Sequence, residues 1–258
     1  MSSKKTLIAA NWKMHKTVEE AVAFVGELRD AVGSPDDREV LLTPPFTALW
    51  AIRVAVSEAG FSLGAQNCHW ESQGAFTGEI SPPMLKDVGC GYVLVGHSER
   101  RHVFGETDAM AQKKVAAVFR EGMTPVLCIG ETLEEREAGK TFDVVARQLQ
   151  EGLGAVSKSD FSRVAVAYEP VWAIGTGKTA TPAQVQEVHA FIRERLAART
   201  NKSVANKVRI LYGGSVKPDN VDRLMAEPDI DGLLVGGASL KASSFSRIVR
   251  YQIRGDVT

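Results

Sequence analysis

Eight short apolar runs, each followed by a stretch with helical periodicity, constrain the fold of this 258-residue chain more than any other feature. The candidate strands are Thr6–Asn11, Glu39–Thr43, Phe61–Gln66, Tyr92–Val95, Thr124–Ile129, Arg163–Tyr168, Val208–Tyr212 and Gly232–Val235. They are rich in Val, Ile and Leu with little polar alternation, as expected of parallel strands covered on both faces. Between them, Thr17-Val18-Glu19-Glu20 and Thr181-Pro182-Ala183-Gln184 read as helix-starting capping boxes. Val185, Val188, Ile192 and Leu196 then repeat at helical spacing, as do Phe142, Val145, Leu149 and Leu153 one unit earlier. Ser81-Pro82-Pro83 opens a shorter helix. Each strand–helix unit spans roughly 32 residues, about the size of a minimal βαβ repeat. An eight-stranded parallel (β/α)8 barrel, one domain over residues 1–258, is the expected architecture; a doubly wound open sheet is the alternative.

A barrel of this kind carries its chemistry at the carboxyl ends of the strands, and the residues found there are unusual. The first strand ends in Asn11-Trp12-Lys13, and the fourth runs into Gly96-His97-Ser98-Glu99-Arg100-Arg101. The sixth ends at Glu169, followed by Pro170-Val171-Trp172-Ala173-Ile174-Gly175-Thr176-Gly177-Lys178. That loop is stiff at its proline, permissive at its glycines and apolar between, the composition of a hinged lid. The seventh strand ends in Tyr212-Gly213-Gly214-Ser215 and the eighth in Val235-Gly236-Gly237-Ala238-Ser239. Singly, a lysine is ordinarily solvated, a histidine structural, a Glu-Arg-Arg run an ion-pair cluster and a glycine pair a tight turn. A cation, an imidazole, a carboxylate and two glycine turns at one end of successive strands are not explained that way. Paired glycines let backbone N–H groups approach an anion, so the expected ligand is a small phosphorylated metabolite.

The formal net charge is zero, which gives no electrostatic case for nucleic acid or an anionic membrane. Cys68, Cys90 and Cys128 are odd in number and form no C-x-x-C pair, which fits a reducing, cytoplasmic setting. Lys4 and Lys5 precede only a four-residue apolar run, too short for a signal peptide, and no stretch reaches membrane-spanning length. Gly177-Lys178-Thr179 lacks the upstream glycine of a P-loop, since Trp172 stands there. His97 and His102 do not have zinc-ligand spacing, and no dinucleotide fingerprint is present. Cys128, inside an apolar run, reads as a small buried hydrophobe.

Six segments taken together resemble the triosephosphate isomerase family along nearly the whole chain. They are Ala9–Met14, Gly74–Glu79, Gly96–Arg101, Tyr168–Lys178, Tyr212–Val216 and Leu234–Leu240. The resemblance implies interconversion of dihydroxyacetone phosphate and glyceraldehyde 3-phosphate through an enediolate, in glycolysis and gluconeogenesis, with no cofactor or metal. By the same resemblance Glu169 is the base, and neutral His97 polarises the carbonyl and moves protons between oxygens. This family is itself the standard illustration of that pairing. Lys13 stabilises the enediolate, Asn11 binds near the substrate oxygens, and Glu99 supports Lys13. Gly175, Ser215, Gly236 and Gly237 grip the phosphate. The loop 67–80 inserts into a second copy in the family, with Thr77 reaching towards the neighbour's site, so a homodimer is expected. His15 departs from the asparagine common at that position, near where the loop docks. Two rivals are a ketose-phosphate aldolase with a Lys13 Schiff base and a non-catalytic scaffold on the same fold.

Overall fold

The computed structural model describes residues 4–253. Among them, β1 (Thr6–Asn11), β2 (Arg38–Thr43), β3 (Ser62–Ala65), β4 (Tyr92–Val95), β5 (Thr124–Ile129), β6 (Ala165–Tyr168), β7 (Arg209–Tyr212) and β8 (Gly232–Val235) form one closed barrel in sequence order. Every neighbouring pair is parallel. β1 closes on β8 with Leu7 opposite Gly232 and Ala10 opposite Val235. Closure leaves no free sheet edge and rules out the open doubly wound sheet.

Helices surround the strands: α1 (Val18–Val32), α2 (Phe46–Glu58), α3 (Pro82–Asp87), α4 (Ser98–Phe104), α5 (Asp108–Arg120), α6 (Leu133–Glu137), α7 (Thr141–Gly152), α8 (Pro182–Arg199), α9 (Lys202–Ala205), α10 (Val221–Met225) and α11 (Ala242–Val249). Both expected capping boxes form, Thr17 with Glu20 at α1 and Thr181 with Gln184 at α8. Ser81 caps α3.

Side chains two apart along a strand share a face, and the core divides accordingly. Ile8, Ala10, Val40 and Leu42 join helix residues such as Phe24 and Leu28 in the layer between barrel and helices. Leu7, Ala9, Leu41, Leu94, Val126 and Leu211 form a second buried cluster made of strand residues, which fills the barrel itself. Near the amino ends of the strands, Arg209 reaches Glu39 at 2.6 Å and Tyr92 Oη donates to Glu39 at 2.8 Å, an ion-paired plug. The opposite mouth remains available to ligand.

Three differences from the sequence expectations have local causes. β3 stops at Ala65 because the Gln66 side chain turns to donate to the carbonyls of Lys13 and Thr43, both at 2.9 Å. β6 starts at Ala165, since Phe161–Arg163 forms a 3₁₀ turn. Phe142 is exposed at the start of α7 and packs on Phe191 with ring centroids 4.8 Å apart, while Val145, Leu149 and Leu153 enter the core.

Candidate active site

A cavity of about 460 Å³ opens at the carboxyl end of the barrel. Asn11, Lys13, His97, Glu169, Gly175, Ser215, Gly236 and Gly237 all border it. Glu99 does not; it lines an adjoining cleft of about 180 Å³ and reaches the site through Lys13. Thr77 lies elsewhere, on the exposed connection between β3 and α3.

Glu169 follows directly on β6 and is only 2 % exposed. Its Oε1 sits 2.8 Å from His97 Nε2, and its Oε2 accepts the Ser98 backbone N–H at 3.0 Å. Removing such a carboxylate from water costs on the order of several kcal/mol unless donors replace the lost hydration. Here burial works to raise its pKa, but the charge and hydrogen bond of His97, with the Ser98 amide, outweigh it and hold the group below 4.5. Room for the side chain comes from Gly213, where a Cβ would stand 2.8 Å from Glu169 Cγ.

His97 ends β4's loop and caps α4, its Nδ1 accepting the Glu99 N–H at 3.2 Å. That contact assigns the ring proton to Nε2, which donates to Glu169. Burial pushes the ring towards neutrality, yet Glu169 at hydrogen-bond distance raises its pKa above the ordinary value. The raise belongs to the Glu169 contact, with a smaller contribution from Glu99 and an opposing one from Lys13. Should Glu169 turn towards a ligand, burial and the Glu99 N–H donated to Nδ1 would leave a neutral imidazole with its Nε2–H free to donate.

Lys13 is one of two non-glycine residues among those described with φ in the left-handed region, at 52°. Such a conformation costs about 1–2 kcal/mol and persists only when its surroundings enforce it. Asn11 Oδ1 accepts the Lys13 N–H at 3.0 Å and Gln66 Nε2 donates to the Lys13 carbonyl at 2.9 Å. Together they turn the side chain over Gly236, towards Glu99 at 2.6 Å. Asn11 thereby orients the lysine as well as bordering the cavity.

The segment after Glu169 begins with a 3₁₀ turn, Val171–Ala173, continues through exposed Gly175 and Gly177 with φ of 69° and 80°, and ends at α8. Ala173, Ile174 and Gly175 line the same cavity as Gly236 and Gly237. A 3₁₀ turn, Gly237–Ser239, follows β8. Among the described residues no group of three His, Cys, Asp or Glu is placed to hold a metal ion. Cys128 is fully buried, and burial raises its thiol well above the ordinary pKa.

Ser98 and Gln66 were not singled out by residue type, and Gly213 was read as half of an anion-binding turn, not as room for Glu169. Ser98 acts through a backbone amide and Gly213 through an absent side chain, neither of which residue chemistry announces. His15 borders the cavity from its exposed rim, a second setting for the departure noted above.

A family model described as triosephosphate isomerase matches residues 6–252. A triosephosphate isomerase of Syntrophotalea carbinolica is 55 % identical over 249 residues, covering 96 % of this chain and 99 % of the relative. One from Citrifermentans bemidjiense is 56 % identical over 248 residues, covering 96 % and 99 %. One from Carboxydothermus hydrogenoformans is 54 % identical over 250 residues, covering 97 % and 100 %.

Proposed function

The chain belongs to the triosephosphate isomerase family and interconverts dihydroxyacetone phosphate and D-glyceraldehyde 3-phosphate, and we propose that Glu169, His97 and Lys13 divide the proton transfers between them. The observation that carries this assignment is the buried Glu169–His97 contact of 2.8 Å in a cavity that Lys13 also borders. Glu169 releases His97 and Ser98, takes a proton from C1 of the ketone and leaves the electron pair to form C1=C2. The charge that develops on the C2 oxygen is met by His97 Nε2–H and the Lys13 ammonium, and one such donor is typically worth ~2.7–4 kcal/mol. Glu169 then returns its proton to C2 while His97 gives a proton to one oxygen and recovers one from the other. Asn11 steers Lys13, and Glu99 holds it at 2.6 Å. Backbone amides at Gly175, Ser215, Gly236 and Gly237 take the phosphate, and closure of the lid keeps the enediolate dry.

The aldolase alternative is not supported. The relatives are isomerases by name, and Lys13 is ion-paired and 26 % exposed, unlike the desolvated free amine that Schiff-base chemistry requires. Dihydroxyacetone phosphate turned over in heavy water should yield product carrying carbon-bound deuterium, read by mass spectrometry. Turnover with no deuterium on carbon would remove proton abstraction by Glu169 from the mechanism.

The working unit is a homodimer of single-domain barrels in a reducing cytoplasm. Its three cysteines are free and buried, and no described helix is long and apolar enough to cross a membrane. Around the cleft beside Glu99, Met14, Phe46 and Phe104 are exposed, an apolar setting for loop 67–80 and Thr77 of a second copy. Within that loop Trp70 and Phe76 both pack on His69 with ring centroids 4.3 Å away, but Phe76 is 44 % exposed and Trp70 is partly buried, so Phe76 is the better anchor. Phe76→Asp should therefore halve the mass found by light scattering. An unchanged mass would reject this interface.

A further inference from the structure

Glu131, just beyond β5, is fully buried although it is not among the groups that border the cavity. Its carboxylate accepts Tyr168 Oη–H at 3.1 Å on each oxygen and Trp172 Nε1–H at 2.9 Å. Its carbonyl takes the Val171 N–H at 3.0 Å. The residues immediately before Glu169 and at the base of the lid thus converge on one carboxylate. Two neutral donors do not balance a buried charge, and Arg136 supplies the countercharge, Nη1 to Glu131 Oε1 at 3.1 Å. The guanidinium also lies over the Trp172 ring, 4.6 Å from its centroid. α6, which carries Arg136, has five residues and would not persist alone; the Thr132–Glu135 capping box fixes it. An exposed arginine pair is ordinarily worth little. This one has a wholly buried partner, and its plane serves charge and stacking at once, which a lysine cannot do.

We propose that Arg136 is a positioning residue that clamps the base of the lid, through Glu131 and Trp172, in the setting where Ala173–Gly175 line the cavity. The proposal rests on the reading of that loop as the lid of a phosphate-binding site. The lid acts through the phosphate, so the clamp matters only for ligands that carry one. In Arg136→Ala, kcat/KM for glyceraldehyde 3-phosphate should fall about tenfold and the inhibition constant of 2-phosphoglycolate should rise by a similar factor. Turnover of glyceraldehyde, which lacks the phosphate, should change less than twofold. Arg136→Lys, which keeps the charge and loses the planar stack, should fall between, and it decides the matter if the alanine variant does not fold. Equal losses on both substrates, or none on either, would overturn the clamp.

Cleavage after Lys178 by a lysine-specific protease, without ligand, reads the same clamp independently of chemistry. It should be several-fold faster in Arg136→Ala than in wild type, and an unchanged rate counts against the clamp. A wild-type enzyme that fails to isomerise would instead refute the functional reading, leaving the protease result to judge Arg136.

Discussion

Glu169→Asp should lower kcat on the order of 10²–10³-fold while the melting temperature stays within a few degrees of wild type. The aspartate keeps the charge but withdraws the carboxylate by one methylene. Misplacement by about 1 Å can cost 10²-fold when the reacting atoms must already be aligned. In the wild type both oxygens are committed, one to His97 and one to the Ser98 amide. A shortened side chain above Gly213 loses that geometry as well as its reach to the substrate carbon. A charge-free companion separates position from electrostatics. In Glu169→Gln the group that raises the His97 pKa is gone, so burial and Lys13 should carry the ring below 6.5, against only the pull of Glu99. Titration of the imidazole nitrogens by NMR measures this directly. Near-normal turnover in the aspartate variant would remove Glu169 as the base, and a His97 pKa still raised in the glutamine variant would remove it as the cause.

The strands were legible wherever an apolar run ended at a residue that could not continue it. β1, β4, β5 and β8 begin and end at their expected residues for that reason. Phe61 favours a strand by type and Gln66 does not forbid one, yet Phe61 hydrogen-bonds back to Val56 and the Gln66 amide turns to Lys13 and Thr43. Tertiary partners decide such ends, and they lie far away in the chain. The site divides in the same way. Lys13, His97 and Glu169 could be noticed because their side chains have chemistry and stand at strand ends. The left-handed backbone of Lys13 could not, because it is enforced by Asn11 and by Gln66, 53 residues away. Nor could the role of Ser98, whose hydroxyl is incidental to the amide that holds Glu169.

Lys13→Met should reduce kcat/KM for dihydroxyacetone phosphate on the order of 10³-fold or more, with both a higher KM and a lower kcat. Methionine keeps the apolar stem as far as the terminal carbon that passes over Gly236, so packing is nearly preserved. What is lost is the positive charge. In the proposed mechanism that charge meets both the phosphate dianion on entry and the enediolate oxygen as it forms, so ground state and transition state should weaken together. Stability should move little, because the abandoned Glu99 side chain is 45 % exposed and can be hydrated in place of its ion pair. The Asn11 and Gln66 contacts are to the backbone of residue 13 and survive the change. Loss of turnover would therefore report charge and not misplacement of the loop. Retention of kcat with only KM raised would confine Lys13 to capturing the dianion, and the work of stabilising the enediolate would fall to His97 alone.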